Sequence, residues 1–562
     1  MRHTMKQVKP ILLTIIILLA FCIGAYAANL EIETDEAGNQ GKLKTETFTF
    51  NEGALPANQE GRIAYSADSL FVSDASVWNS FSGGKTIATK IVAASNSLRT
   101  SGGVNPQADY TCGGTADQVE IQQAIDSLGS NGGAVYLLEG TYIISAAIVF
   151  NAGDSNKALI GTGAGTVLRL FTGSANINII YASSADNLLI SRLALDGNSQ
   201  TGIGNSGIKF QYGANDCIIN NVYAENFNRY GIHFDQSDNG SITSSTVNLN
   251  VVGILIEDGG AGLAVTGNSI TNNNVSLNTE TGISITRSNG GIVKNTIISG
   301  NSVNGNAGYG IRIDSNGSTG DNVPNNMIIG NSLDANLAGI MSNGTYALIS
   351  NNNIQSSSLG IFIGTGGEYA VVSDNSISSG SDRGITIGGL GSSTISGNVI
   401  SGSYSNAGIW IGANADNNII NSNRVDNQGV GVAINIVAGA VDNYIAGNFL
   451  TGDIKIKDLG TGTKYTGKEK ITLEAVTNDT GVIWATNPVS YVRLDQDGNW
   501  EIKNGKSTGD ILILESITNN ALINDTDANL ELSASQHKLD VGDTLKLIWN
   551  GTDWIELSYS DN

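Results

Sequence analysis

Cysteine is nearly absent from this chain, with three in 562 residues, and one of those, Cys22, sits in an amino-terminal segment read below as a leader. The mature protein is therefore no disulfide-stapled scaffold. Cys112 and Cys217 lie far apart in the chain and stand either as a disulfide or as two buried free thiols, the second being favoured. Basic residues are scarce too: 29 Lys and Arg against 51 Asp and Glu give a net charge of -22. That sign argues against nucleic acid and anionic lipid as partners and suits a soluble exported protein. Long apolar runs are missing after residue 27, so no later stretch spans a bilayer. Also missing, through most of the middle, is any stretch with helical periodicity.

The one long apolar run, Ile11 to Ile23, follows Arg2, Lys6 and Lys9 and precedes Ala25-Tyr26-Ala27. This is the layout of a secretory signal over residues 1–27, and it implies a secreted or cell-surface protein. Phe21 before Cys22 makes a poor lipoprotein signal. Cleavage removes three positive charges and takes the mature chain from -22 to -25.

Gly followed by an aliphatic residue, any residue and usually a second aliphatic recurs ten times. The copies start at Gly207, Gly231, Gly253, Gly282, Gly310, Gly339, Gly360, Gly384, Gly408 and Gly431, with gaps of 21 to 29 residues. A second track, Asn before a small residue and an aliphatic, runs out of phase through Asn268, Asn301, Asn331 and Asn375 and, less regularly, Asn353, Asn398, Asn423 and Asn448. Two tracks with one period mean one repeated unit. Period-2 alternation within each copy and Asn/Ser/Gly-rich turns between copies predict short strands. Such a unit buries its apolar face only by stacking on its neighbours, which yields an all-β solenoid of roughly a dozen coils, about 55 to 60 Å long. On these residues the chain resembles the right-handed parallel β-helices of the pectate-lyase-like superfamily over roughly residues 106 to 455. That superfamily holds lyases, hydrolases, epimerases, phage tailspikes and adhesins, so the resemblance implies the fold and leaves the activity open.

Four regions follow: the leader, 1–27; a β-hairpin module and linker, 28–105; the right-handed parallel β-helix with its cap, 106–459; and a carboxy-terminal antiparallel β domain, 460–562. Asp117 with Glu120 reads as a capping box opening a capping helix through Val119, Ile121, Ala124, Ile125 and Leu128. Helix, paired Gly132-Gly133 and the strand ending Gly140-Thr141-Tyr142-Ile143-Ile144 resemble the amino-terminal cap of such β-helices. Gly161-Thr162-Gly163-Ala164-Gly165-Thr166 lies between strand-like runs and opens no helix, so it reads as a turn and not a nucleotide loop. No cofactor is expected. The patch from Glu60 to Trp78 and the ending from Gly542 to Leu557 are similar to modules at the two ends of phage tail-fibre-like proteins, where terminal modules cap the rod or bring chains together. A homo-oligomer formed through the carboxy-terminal domain is thereby implied.

Along each strand the aliphatics turn inward and the residue between them turns outward. The outward column reads Lys209, His233, Leu255, Ser284, Arg312, Met341, Phe362, Thr386, Trp410 and Ala433. Two residues on sit Gln211, Asp235, Glu257, Thr286, Asp314 and Asn343. An ionisable zone over the first five coils thus collects Lys209, Tyr230, His233, Asp235, Glu257, Arg312 and Asp314. Asp235 and Glu257 on adjacent coils suit a retaining glycoside hydrolase, whose carboxyls stand about 5 Å apart. Lys209 or Arg312 with His233 or Tyr230 suits lyase or epimerase chemistry on a uronate, which needs a cation for the sugar carboxylate and a base for the C5 proton. Tyr230-Gly231-Ile232-His233-Phe234-Asp235 is similar to the Tyr-Gly and His of alginate epimerases, with different spacing and without their Asp-Pro-His. The plain alternative is that these charges solvate the outside of a rod. An apolar zone follows in Met341, Phe362 and Trp410. Phe362 and Trp410, two coils or about 10 Å apart, suit sugar stacking or an interface equally. Calcium has no complete motif: Asp525 to Asn529 and Asp495 to Asn499 begin like EF-hand loops, but position twelve is Gln536 in one and Lys506 in the other. The expected function is binding, with cleavage as an option, of an extracellular or cell-surface polysaccharide along the stacked face. The alternative is a non-catalytic surface fibre or adhesin.

Overall fold

The computed structural model describes residues 63–66, 69–73 and 78–80, then residues 88–561 with gaps of one to six residues. Residues 1–27, where a leader is expected, and most of residues 28–105 lie outside the described residues. The chain divides into two compact units, residues 1–87 and 88–562. In the first, Ile63–Ser66, Ser69–Ser73 and Trp78–Ser80 form an antiparallel three-stranded sheet.

Most of the second unit is a parallel β-helix of three sheets, labelled here A, B and C in the order the chain visits them. One coil runs through Ile218–Asn220 in sheet A, Tyr223–Glu225 in sheet B and Tyr230–Asp235 in sheet C, then returns to sheet A at Ser241–Thr243. Sheets B and C each hold thirteen strands and sheet A sixteen. Thirteen strands at about 4.8 Å per step make a rod of about 58 Å. The strand Ala88–Ala93 pairs in parallel with Gly133–Leu137, so the solenoid begins at residue 88 and not at 106. Short inward ladders such as Ile232, Ile254, Ile283 and Ile311, each unexposed, form one continuous core.

Two corner columns of asparagine run along the stack. At the A-to-B corner Asn273, Asn301, Asn331, Asn352, Asn375, Asn398, Asn423 and Asn448 stack, and each side-chain oxygen accepts from the backbone N–H and the side-chain amide of the Asn one coil earlier at 2.9 to 3.0 Å. Asn250, Asn278, Asn306 and Asn336 form a second such ladder at the B-to-C corner. The glycine column lies against this second ladder: a Cβ on Gly253 would come within 2.6 Å of the Gly282 carbonyl and 2.9 Å of Asn278 Nδ2. Two members of the Asn track need correcting. Asn353 is exposed and its neighbour Asn352 holds the ladder place, while Asn268 caps the C-to-A corner through Gly240 N.

The capping helix, Gln118–Asp126, buries Ile121, Ala124 and Ile125. The expected capping box does not form. Asp117, fully buried, instead accepts from Gly114 N at 2.6 Å and Ile143 N at 2.7 Å, tying the loop to the first coil. Gly161 to Thr166 is a turn between Lys157–Ile160 and Thr166–Leu170.

Cys112 and Cys217 are free and buried. Burial pushes both thiols up, that of Cys217 to about 12. Neither reacts with a thiol reagent in the native protein, and both react once it is unfolded, a result read by site-resolved mass spectrometry. A Cys112–Cys217 disulfide would contradict the fold, because the two residues lie five strand steps apart in sheet A, about 24 Å.

The carboxy-terminal region has its own core, with Trp500, Trp549 and Trp554 buried. It is not purely antiparallel. Val489–Leu494 pairs in parallel with Ile511–Ser516, and Gly498–Ile502 with Ala521–Asn524. Only then do hairpin-like pairs follow: Ile511–Ser516 with Thr544–Trp549, Ala521–Asn524 with Gln536–Leu539, and Thr544–Trp549 with Trp554–Ser560. Parallel neighbours need a crossover, which the second sheet supplies, whereas the tight turn at Asn550-Gly551 allows direct reversal. No helix among the described residues is long and apolar enough to cross a membrane.

Candidate functional site

Sheet C carries the expected outward column in strict register. His233 pairs with Leu255, then Ser284, Arg312, Met341, Phe362, Thr386 and Trp410 follow coil by coil. His233 and Trp410 therefore share one face. None of the column is freely exposed, however. His233, Leu255, Ser284, Met341 and Thr386 are buried, and Lys209, Arg312, Phe362 and Trp410 are half-buried. Side chains stacked at the coil spacing cover one another's flanks, so the charges do not simply solvate a rod.

The first charges form two diagonal pairs across three coils. Lys209 Nζ lies 2.9 Å from Asp235 Oδ2 on the next coil, and His233 Nε2 lies 2.8 Å from Glu257 Oε1 on the coil after that. The second contact is close but too bent for a hydrogen bond, which leaves Nε2 without an aligned partner, as is Asp235 Oδ1. His233 is 1% exposed and Asp235 3%. The ring of Tyr230 meets the imidazole edge-on, centroids 4.8 Å apart, and the Arg229 guanidinium lies 4.7 Å over the other ring, that of Tyr230.

Burial holds His233 below its ordinary value and hence neutral, against the opposing pull of Glu257. Burial would push the Glu257 carboxyl up, but His233, Lys209 and Arg229 outweigh it and hold the group below the usual carboxylate range. Both folded values are lowered, so the unfolded chain takes up protons first on acidification. Stability is lost below about pH 6.5 through His233 and below about pH 4.3 through Glu257.

Gly259 closes the cluster. Its φ is +55°, and a Cβ there would fall on Asp235 Oδ1. Gly259→Ala lowers stability by about 2 kcal/mol through backbone strain and collision. It also lets water reach Asp235, which moves the His233 imidazole titration, read by NMR, back toward its ordinary value.

Arg312 and Asp314 do not join this cluster. They lie three coils on, about 14 Å away, paired with each other, while Asp314 Oδ1 accepts from Asn343 Nδ2 at 3.0 Å. The apolar zone is likewise less open than expected. Met341 is 8% exposed, and the Arg383 guanidinium covers one face of Trp410 at 4.1 Å from the ring centroid. Arg229 and Gly259 escaped the sequence reading. The Gly259-Gly260 pair was the available signal for a tight turn, and Arg229 precedes the strand alternation that was counted. The loop from Asp525 to Asn529, and Asp495 to Asp497, lie outside the described residues.

Comparisons with known proteins agree on the fold. Residues 171–333 match the family described as a right-handed β-helix region, and residues 321–487 match the periplasmic copper-binding protein family NosD. The chain is a right-handed parallel β-helix. Among solved structures it is similar to the A-module of a mannuronan C-5 epimerase, AlgE6, from Azotobacter vinelandii, at 21% identity and TM-score 0.45, covering 63% of this chain and 97% of that one. It is similar as well to the Dettilon tailspike protein, at 17% identity and TM-score 0.47, covering 65% and 68%. A third is DFA-IIIase from Arthrobacter chlorophenolicus, at 13% identity and TM-score 0.42, covering 63% and 93%. No curated protein matches the sequence.

Proposed function

We propose that this right-handed β-helix is exported, binds a uronate-containing polysaccharide along sheet C, and acts on it by removing the sugar C5 proton. One observation carries the reading. The single histidine of the solenoid is held neutral, with a ring nitrogen unaligned to any partner, inside a cluster of two cations, two carboxylates and a tyrosine. Neutral imidazole is the form that accepts a proton. Glu257, 2.8 Å from Nε2, stabilises the imidazolium that forms, while Lys209 and Arg229 are the cations within reach for a sugar carboxylate. Arg229, the exposed member of the set, is the first that a ligand meets, and Tyr230 lies half-buried between it and the imidazole.

A two-carboxylate hydrolase fits less well. Asp235, Glu257 and His233 offer atoms all within 4.8 Å of one another, which suits retention. Retention also needs one carboxyl kept protonated, and Glu257 is held the other way. Copper has no role in this reading: residues 321–487 contain neither His nor Cys and only Met327 and Met341, whereas copper sites are built from those soft and imidazole ligands.

A second reading, a binding fibre without turnover, is favoured by the mutual pairing of Lys209 with Asp235 and by Gly259 lying over that carboxylate. Incubation with alginate, polygalacturonate and glucuronan separates the two. Unsaturated uronate product, or deuterium at C5 from heavy water, supports proton abstraction. Binding without either, unchanged in His233→Ala with Glu257→Ala, removes the enzyme and leaves the fibre.

A further inference from the structure

A wide, open depression of about 570 Å³ lies at the B-to-C corner of three consecutive coils. Its lining is polar. Ser378, Ser381, Ser401, Ser403 and Gln428 supply hydroxyls and one amide, and a carboxylate stands at its edge: Asp426, the register partner of Ser401, accepts from the Gln428 amide at 3.4 Å. Ser378 and Ser401 are register partners on adjacent strands of sheet B, so their hydroxyls repeat at about 4.8 Å. Behind them lies the ring of Tyr404, fully buried, pressed against Gly380 and Gly402: a Cβ on Gly380 would come within 2.4 Å of that ring. The floor is thus fixed by packing, and the two glycines keep the space above it open. Two residues beyond Ser381 is Arg383, which stacks on Trp410 of sheet C.

We propose that this depression is a subsite for a neutral saccharide unit. An anionic ligand would shed its hydration there beside the Asp426 carboxylate without meeting an opposite charge, and an apolar one would leave four hydroxyls unpaired. A polyol meets both requirements, because each serine offers one donor and two acceptor positions to ligand hydroxyls that do the same. The site lies six coils, about 29 Å, from His233 along the rod. It therefore acts independently of the proton-transfer cluster and stands even where that cluster turns nothing over.

The test is calorimetric titration of the full chain with cellotetraose, xylotetraose and mannotetraose, and with tetragalacturonate as the charged probe. At least one neutral tetramer binds to the wild type. The variant with Ser378, Ser381, Ser401 and Ser403 all replaced by alanine binds it about tenfold more weakly or worse, and Ser403→Trp, which fills the depression from an exposed position, abolishes binding. His233→Ala changes none of this. The inference is overturned if no neutral tetramer binds, if folded Ser403→Trp binds as the wild type does, or if only tetragalacturonate responds to the serine changes.

Discussion

Asn375→Ala lowers the stability of the solenoid by about 4 kcal/mol, read as a fall in the urea midpoint followed by circular dichroism. The side chain is 1% exposed and saturated with partners. Its oxygen accepts from Asn352 N and Asn352 Nδ2, both at 2.9 Å, and its amide donates to Ile349 O and Asn398 Oδ1, also at 2.9 Å. Truncation strands two donors of Asn352 and the Ile349 carbonyl in a corner that water does not reach. Each such orphan costs about 1 to 3 kcal/mol. Asn353→Ala, one residue from a rung of the same ladder but exposed, changes stability by less than about 0.5 kcal/mol. Equal effects at both positions would mean that the ladder contributes nothing beyond ordinary surface contacts.

His233→Ala reduces kcat/KM on the responsive polyuronate by about 10² to 10⁴-fold, the usual range for a lost general base, while the Kd for the same polymer stays within about threefold. The division matters because a merely structural histidine would damage both. The pH profile gives the second readout. Since burial lowers the His233 value, the base remains unprotonated below the pH at which a free imidazole would charge, and wild-type activity persists below about pH 6.5. Gly259→Ala, which lets water into the cluster, shifts that acidic limb upward. An acidic limb at the ordinary imidazole value in the wild type would show that the buried ring is not the group titrating.

The architecture was legible because a coil repeats: Gly, two inward aliphatics and an outward residue between them appear at nearly constant period, and alternation alone places His233 and Trp410 on one face. The partners inside the site were harder to see. Register puts Lys209 beside His233 and Asp235 beside Glu257, yet the contacts that form are diagonal, because long side chains reach the neighbouring row on the next coil. Exposure was misjudged for the same reason, since an outward Cβ says nothing about what stacks above and below it. Asp117 shows a different limit. Its sequence context is that of a helix cap, but two backbone N–H groups, Gly114 N of the preceding loop and Ile143 N of the first coil, compete for the carboxylate and win. In the last hundred residues strand and turn signals were sound, while parallel or antiparallel pairing depends on crossovers that no local pattern encodes.

Because each corner amide bonds no further than the coils directly above and below it, the solenoid can lose or gain a whole turn without disturbing the remainder. Such an exchange would move the ionic cluster relative to the serine-lined depression in steps of about 4.8 Å. Rod length is then a ruler that insertion and deletion can reset, and the distance between the cluster and the serine-lined depression becomes as heritable as the residues that compose them.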